Sequence, residues 1–298
     1  VCTVPELPEV ESIRRTLGRS IGGHTLHVAQ VMRTDIIGAP GKLRARRGHR
    51  ACRDDGLPMR TALLDGARVE SVTRRGKQLA IVADDGRALV VHLGMSGRLV
   101  VERDDSHDMP PHTHAVWHVS NAGALRFTDP RRFGALVPCR SAQELDAHWH
   151  DLGPDALDIT DDALACALGS RRTCVKAALL DQSLIAGLGN IYVDEILHRA
   201  GIHPMMRSRR AAAHAPIIAH CMRTVLDAAI AAGGSTLRDY VDATGNPGAY
   251  VTLHRVYGRA GQRCDRCQST IRTAVIAGRT TAFCITCQGR ARPCVDFM

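Results

Sequence analysis

Four cysteines near the C-terminus constrain the folding of this chain more than any other feature. Cys264 and Cys267 form one CxxC pair and Cys284 and Cys287 a second, with sixteen residues between the pairs. Two such turns can set four thiolates tetrahedrally around one ion, and Zn²⁺ accepts four sulfur ligands without redox chemistry. The spacing predicts one structural Zn²⁺ holding a hairpin. The intervening IRTAVIAGRTTAF is strand-like, with a turn at Gly278-Arg279. Arg279 would stand at the tip of that turn, where a guanidinium can grip a phosphate. A solvated turn arginine fits the same pattern equally well.

The other seven of the eleven cysteines (Cys2, Cys52, Cys139, Cys166, Cys174, Cys221 and Cys294) are scattered without a spacing rule. They read as small core or surface residues, not as a disulfide framework. With 298 residues the chain is long enough for two domains. No apolar run is long enough to span a bilayer, and the N-terminus lacks a basic stretch followed by an apolar one. A cytoplasmic protein is the expectation. The formal charge of +9 points to a polyanionic partner, most simply nucleic acid. Aromatic residues are only 3% of the chain, which argues against a stacking platform for single strands.

The patterning changes along the chain. PELPEVE opens a helix: proline suits the first turn, acids suit the positive end of the dipole, and Val10, Ile13 and Leu17 repeat at helical spacing. Strand-like runs follow (HTLHVAQVM, LAIVAD, RALVVHL, HAVWHVS, GALRFT), separated by turn pairs such as Asp85-Gly86. They predict a β-sandwich or barrel. The polar stretches 39–60 and 102–113 read as loops. From about residue 141 the texture is helical. Residues 216–232 make an amphipathic helix that starts at Pro216 and stops at Gly233-Gly234. LLDQSLIAGLGNIYVDEILHRAGI reads as helix, Gly-containing turn and helix, with Val193, Ile196, Leu197 and Ala200 on one face of the second.

Several short motifs could carry chemistry. Asn190 opens the second helix of that pair, and free N–H groups at a helix start bind anions; a plain tight turn is the simpler reading. HLGMSG (92–97) and DPRRFG (129–134) end strands, and they project Met95 and Arg131, Arg132 and Phe133. Such groups can wedge into a base stack, or they can be core. RRGKQ presents Lys77 beside a glycine.

As an ordered set these motifs resemble the formamidopyrimidine-DNA glycosylase family, bacterial enzymes that excise oxidised purines and nick the abasic site. PELPEVE, RRGKQL, HLGMSG, DPRRFG, LGPDAL, LLDQSLIAGLGNIYVDE, GGSTLRDYV, VYGRAGQRCDRC and TTAFCITCQ carry the match over residues 5–288. The resemblance implies an α+β chain of two domains. An N-terminal β-sandwich with a leading helix would occupy 1–138, and a helix–two-turn–helix domain 139–253. A zinc finger would span 254–288, with a C-terminal extension at 289–298. It implies that Pro5 is the nucleophile, Glu6 the acid/base carboxylate, Lys77 the lyase lysine and Arg279 the phosphate-gripping arginine. Met95, Arg131 and Phe133 would fill the void left by an extruded base. His112, Arg171, Lys176 and Asn190 would contact DNA, and residues 235–253 would form the mobile loop over the lesion. The implied partner is duplex DNA with oxidised purines or abasic sites, bound by a monomer associated with the nucleoid.

One position departs from the family pattern. Val4 precedes Pro5, so the proline nitrogen is a tertiary amide that cannot form an imine. This predicts a functional start at Pro5. Two same-fold alternatives remain, an oxidised-pyrimidine glycosylase and a catalytically blocked damage-binding protein. A general zinc-ribbon DNA-binding factor would leave Pro5, Lys77 and the Met95 triad without roles.

Overall fold

The computed structural model describes residues 4–41, 58–102 and 109–289. Residues 42–57 of the polar stretch 39–60, residues 103–108 of the stretch 102–113, the extension 289–298 beyond Gly289, and Cys2, Cys52 and Cys294 lie outside the described residues. The chain divides into two compact units. One is Val1–Asp151 with Gly233–Ala249, and the other is Leu152–Ala232 with Tyr250–Met298.

The first unit opens with helix α1 (Leu7–Ile21), which buries Leu7, Val10, Ile13, Leu17 and Ile21. Eight strands follow: β1 (Thr25–Val31), β2 (Ala67–Arg75), β3 (Gln78–Ala83), β4 (Ala88–His92), β5 (Arg98–Glu102), β6 (Thr113–Val119), β7 (Gly123–Thr128) and β8 (Ala135–Cys139). Their order is β5-β7-β6-β1-β2-β3-β4-β8, every neighbouring pair antiparallel. Two residue pairs, Thr25↔Arg68 and Leu26↔Ala67, join the halves at β1 and β2. Beyond β1 the chain reaches β8, where Leu136 N–H donates to Ile36 O at 2.9 Å and Gly38 N–H to Leu136 O at 2.8 Å. The sheet therefore folds back on itself. One core takes Val28 and Trp117 from one half, Leu79 and Val91 from the other, and Val10 and Ile13 from α1. Short helices α2 (Met59–Ala62) and α3 (Ala142–Trp149) complete the unit.

The second unit contains α4 (Asp161–Gly169), the pair α5 (Val175–Leu180) and α6 (Asn190–Arg199), α7 (Ser208–Ala211) and the long α8 (Ala215–Ala231). Pro216 stands in the first turn of α8, as the sequence predicts. Gln182 fixes the α5–α6 turn: its Nε2 donates to Leu188 O at 2.9 Å and its Oε1 accepts from Gly187 N–H at 3.0 Å. Val193, Ile196, Leu197 and Ala200 are buried together. The C-terminal hairpin is β9 (Arg272–Ile276) and β10 (Arg279–Phe283), followed by α9 (Ile285–Gln288). Of the described residues, no helix is long and apolar enough to cross a membrane.

Candidate functional site

In the first unit, Pro5 is half-buried and Glu6 is 3% exposed at the N-cap of α1. Glu9 closes the turn, its Oε2 accepting the Glu6 N–H at 2.9 Å. Its Oε1 accepts the Ser235 N–H at 2.7 Å. The Tyr240 hydroxyl lies 3.2 Å from Glu9 O and 3.0 Å from Gly233 O. The segment after α8 is thereby fastened to the helix that begins beside Pro5. One turn on, Glu11 takes Arg14 at 2.7 Å, Arg15 at 2.8 Å and Arg74 at 3.0 Å. Burial raises its pKa, but the three guanidinium groups outweigh that and hold it at about 2. The acidic opening of the chain is therefore a packed structure, beyond a favourable helix entry.

Lys77 lies in the turn between β2 and β3 and is half-buried. His92 ends β4, and burial, with the Lys77 charge adding to it, pushes its pKa down to about 4. Its ring is therefore neutral at physiological pH. Sequence reasoning noted HLGMSG for Met95 and passed over His92.

Asp129 joins the two strand-end motifs. It has no exposed surface. Its Oδ1 accepts from Ser96 Oγ at 2.5 Å and from Arg131 N–H at 3.2 Å, and its Oδ2 accepts from Gly134 N–H at 2.7 Å. Its N–H donates to His112 O at 3.0 Å, and its carbonyl lies 2.8 Å from His114 Nε2. Gly94 has φ +62°, and a Cβ there would lie 2.4 Å from the Phe133 carbonyl carbon. A larger residue would push the loops apart. On this floor Met95 and Phe133 are half-exposed, Arg131 and His112 exposed, and the Arg131 guanidinium lies 5.0 Å over the Phe133 ring. The three expected void-filling side chains thus sit on two loops that one carboxylate ties together.

In the second unit, α6 organises the site. Asn190 is its first residue, and its Nδ2 donates to Thr280 O at 2.9 Å, next to the exposed Arg279. Asp194, one turn later, accepts the Ala282 N–H at 2.8 Å and the Lys176 ammonium at 2.6 Å. Glu195 accepts three consecutive backbone N–H groups, from Arg255, Val256 and Tyr257, at 2.8–2.9 Å. Burial raises the pKa of both acids, Asp194 to about 7 against the pull of Lys176. Lys176 corrects an expectation. Its side chain and that of Asp194 are both 0% exposed, so its ammonium meets a carboxylate and not a phosphate. Arg171 is half-buried and pairs with Asp181 at 3.2 Å, while Arg172 beside it is exposed.

The four cysteines come together as the spacing predicts, with all four Sγ atoms within 4.8 Å of one another. Zn–S bonds of about 2.3 Å in a tetrahedron place sulfurs about 3.8 Å apart. Cys264 and Cys287 are at 3.8 Å and Cys267 and Cys284 at 3.3 Å, so the donor set fits one structural Zn²⁺. All four positions are taken by protein, which leaves no place for a reacting water. His198, also on α6, brings Nε2 to 3.5 Å from Cys264 Sγ. Gln288 ties the finger to the end of α6, its Oε1 accepting from Cys284 N–H at 2.9 Å and its Nε2 donating to Ile202 O at 3.0 Å. Asp194, Glu195 and His198 were missed in the sequence. Their signal was their spacing, four, five and eight residues after Asn190, which also describes an ordinary polar helix face.

Comparison with known proteins covers the same regions. Residues 4–136 match the family described as formamidopyrimidine-DNA glycosylase N-terminal domain. Residues 152–241 match the formamidopyrimidine-DNA glycosylase H2TH domain, and residues 261–289 a zinc finger found in FPG and IleRS. The chain is 41% identical to a formamidopyrimidine-DNA glycosylase of Paracoccus denitrificans, over 96% of this chain and 100% of that one. It is 40% identical to one from Methylobacterium sp., over 96% and 99%. Among solved structures, the MutM (FPG) protein of Thermus thermophilus superposes with a TM-score of 0.79 at 37% identity, over 97% of this chain and 100% of that one. A complex between Lactococcus lactis Fpg and abasic-site DNA gives 0.82 at 29% identity, over 96% and 100%.

Proposed function

The chain belongs to the formamidopyrimidine-DNA glycosylase family, and from that premise we propose that it excises oxidised purines from duplex DNA and cleaves the resulting abasic site, with Pro5 as nucleophile. Relatives carrying this name, and a solved Lactococcus lactis complex with DNA containing Fapy-dG, support the substrate class. The observation that carries the assignment of roles is Pro5 beside the buried Glu6 at the start of α1, a helix anchored in the sheet core.

The chemistry follows from those groups. The secondary amine of an N-terminal proline attacks C1′ of the deoxyribose, and the glycosidic electron pair leaves with the base. Glu6 protonates the ring oxygen as the sugar opens to an iminium. That cation acts as the electron sink for β- and then δ-elimination, which expel the two flanking phosphates. Lys77 and Arg279 hold those phosphates and stabilise the leaving charge. Met95, Arg131 and Phe133 fill the space of the extruded base, while His112, Arg171 and Asn190 hold the strands. The zinc ion supplies structure only, fixing the hairpin that carries Arg279. The enzyme works as a monomer in the cytoplasm, at the nucleoid.

A proline amide cannot attack, so Pro5 can serve as the nucleophile only where its nitrogen is a free secondary amine. Two chains test this, one starting at Pro5 and one retaining Val4, each incubated with 8-oxoguanine duplex and borohydride and then weighed by mass spectrometry. The Pro5 chain should trap covalently and the extended one should not. Efficient trapping by the extended chain would move the nucleophile to a lysine such as Lys77. If neither chain traps, the damage-binding reading replaces catalysis.

A further inference from the structure

The outer edge of β10 is held by a helix. One edge of this strand pairs with β9, in the register Thr280↔Val275 and Ala282↔Thr273. On a β-strand, the polar groups of residues i and i+2 point to the same side. Thr280 offers its carbonyl and Ala282 its N–H to α6. Asn190 donates to the first at 2.9 Å, and Asp194 accepts from the second at 2.8 Å. Residues four apart on a helix are about 6 Å apart, close to the two-residue rise of a strand. The two side chains therefore act as a third strand beside Arg279.

A carboxylate that met only one amide would leave a buried charge poorly compensated. Lys176 answers this, with Nζ 2.6 Å from Asp194 Oδ1 and both side chains 0% exposed. Zinc holds the base of the hairpin. A two-stranded hairpin is marginal by itself, so its tip needs a second fastening.

We propose that Asp194 is a positioning residue for Arg279, and that Lys176 acts on DNA binding through Asp194 instead of by touching phosphate. The proposal rests on the reading of Arg279 as the phosphate ligand.

A double-mutant cycle on binding tests it, with duplex containing a tetrahydrofuran abasic analogue as the probe, so that no chemistry is needed. The variants are Arg279→Ala, the charge-neutral pair Asp194→Leu with Lys176→Met, and all three together, each checked for stoichiometric zinc. The neutral pair should bind about tenfold more weakly than the unmodified chain. In the Arg279→Ala background it should cost almost nothing more, since the group it positions is gone. If the neutral pair does not fold, Asp194→Asn runs the same cycle. Losses that add independently would overturn the proposal and assign the pair to packing alone. If Arg279→Ala binds as tightly as the unmodified chain, the phosphate role of Arg279 fails, and this inference falls with it.

Discussion

Asp129 and Ser96 are joined by a 2.5 Å hydrogen bond between buried groups, and that contact fixes the HLGMSG loop to the DPRRFG loop. Met95 lies on one side of the bond and Arg131 and Phe133 on the other. The same carboxylate also accepts the Arg131 backbone N–H, so the alignment of the two loops depends on it.

Replacing Asp129 by alanine should be severe. Ser96 Oγ and Gly134 N–H would each lose an acceptor, while Arg131 N–H would keep only its bond to Ser96 Oγ at 3.1 Å. Unsatisfied buried groups of this kind cost on the order of 1–3 kcal/mol each, and we expect a net loss of about 3 kcal/mol after relaxation. Urea unfolding of Asp129→Ala measures it. A loss below about 1 kcal/mol would show that water replaces the carboxylate.

Gly94→Ala should separate the loops without removing a functional side chain. The new Cβ meets Phe133 backbone at 2.4 Å and sits on a φ of +62°. Strain of about 1–3 kcal/mol is expected. Affinity for lesion duplex should fall more than affinity for intact duplex. Crystals showing Phe133 unmoved would refute the account.

Met95→Ala and Phe133→Ala probe the wedge itself. Both should weaken binding to abasic duplex more than to undamaged duplex, because the side chains act only once a base is extruded. Equal losses on the two DNAs, measured by titration at fixed salt, would make them packing residues.

Glu11 should give the protein an acid-sensitive limb. Its folded pKa of about 2 lies below the ordinary 4.5. The unfolded chain thus binds the proton more readily, so this stabilisation is complete above about pH 5 and fades as pH falls towards 2. At neutral pH it amounts to about 3 kcal/mol. In Glu11→Gln the Tm should be lower at pH 7, and the difference from the unmodified protein should shrink on acidification. A difference that stays constant between pH 7 and 3 would argue against this ion cluster.

Cys284→Ser should lose zinc and, with it, the placement of Arg279. Metal analysis and lesion-duplex affinity should fall together, while the first unit retains its own unfolding transition. Full affinity in a zinc-free variant would show that α6 alone can hold the hairpin.

The sequence by itself determined the elements whose signal is local. The α8 helix, the α5–α6 pair and the zinc cluster follow from periodicity, a proline, glycines and cysteine spacing, all of which act within a few residues. Strands β2, β5 and β8 were harder. ARVESVTRR carries charges through its length, and Pro138 sits inside β8, which is tolerated because that strand ends the sheet order. The site divides in the same way. Pro5, Lys77, Met95, Phe133, Asn190, Arg279 and the four cysteines stand in compact motifs, so their candidacy was legible. Only the tertiary structure decided what positions them. Asp129 bonds to Ser96, 33 residues away, Glu9 to Ser235, 226 away, and Asp194 to Ala282, 88 away. Burial also reversed one expectation: Lys176 looks like any surface lysine in the sequence, and it becomes an interior ion-pair partner because folding brings Asp194 to it and removes water from both.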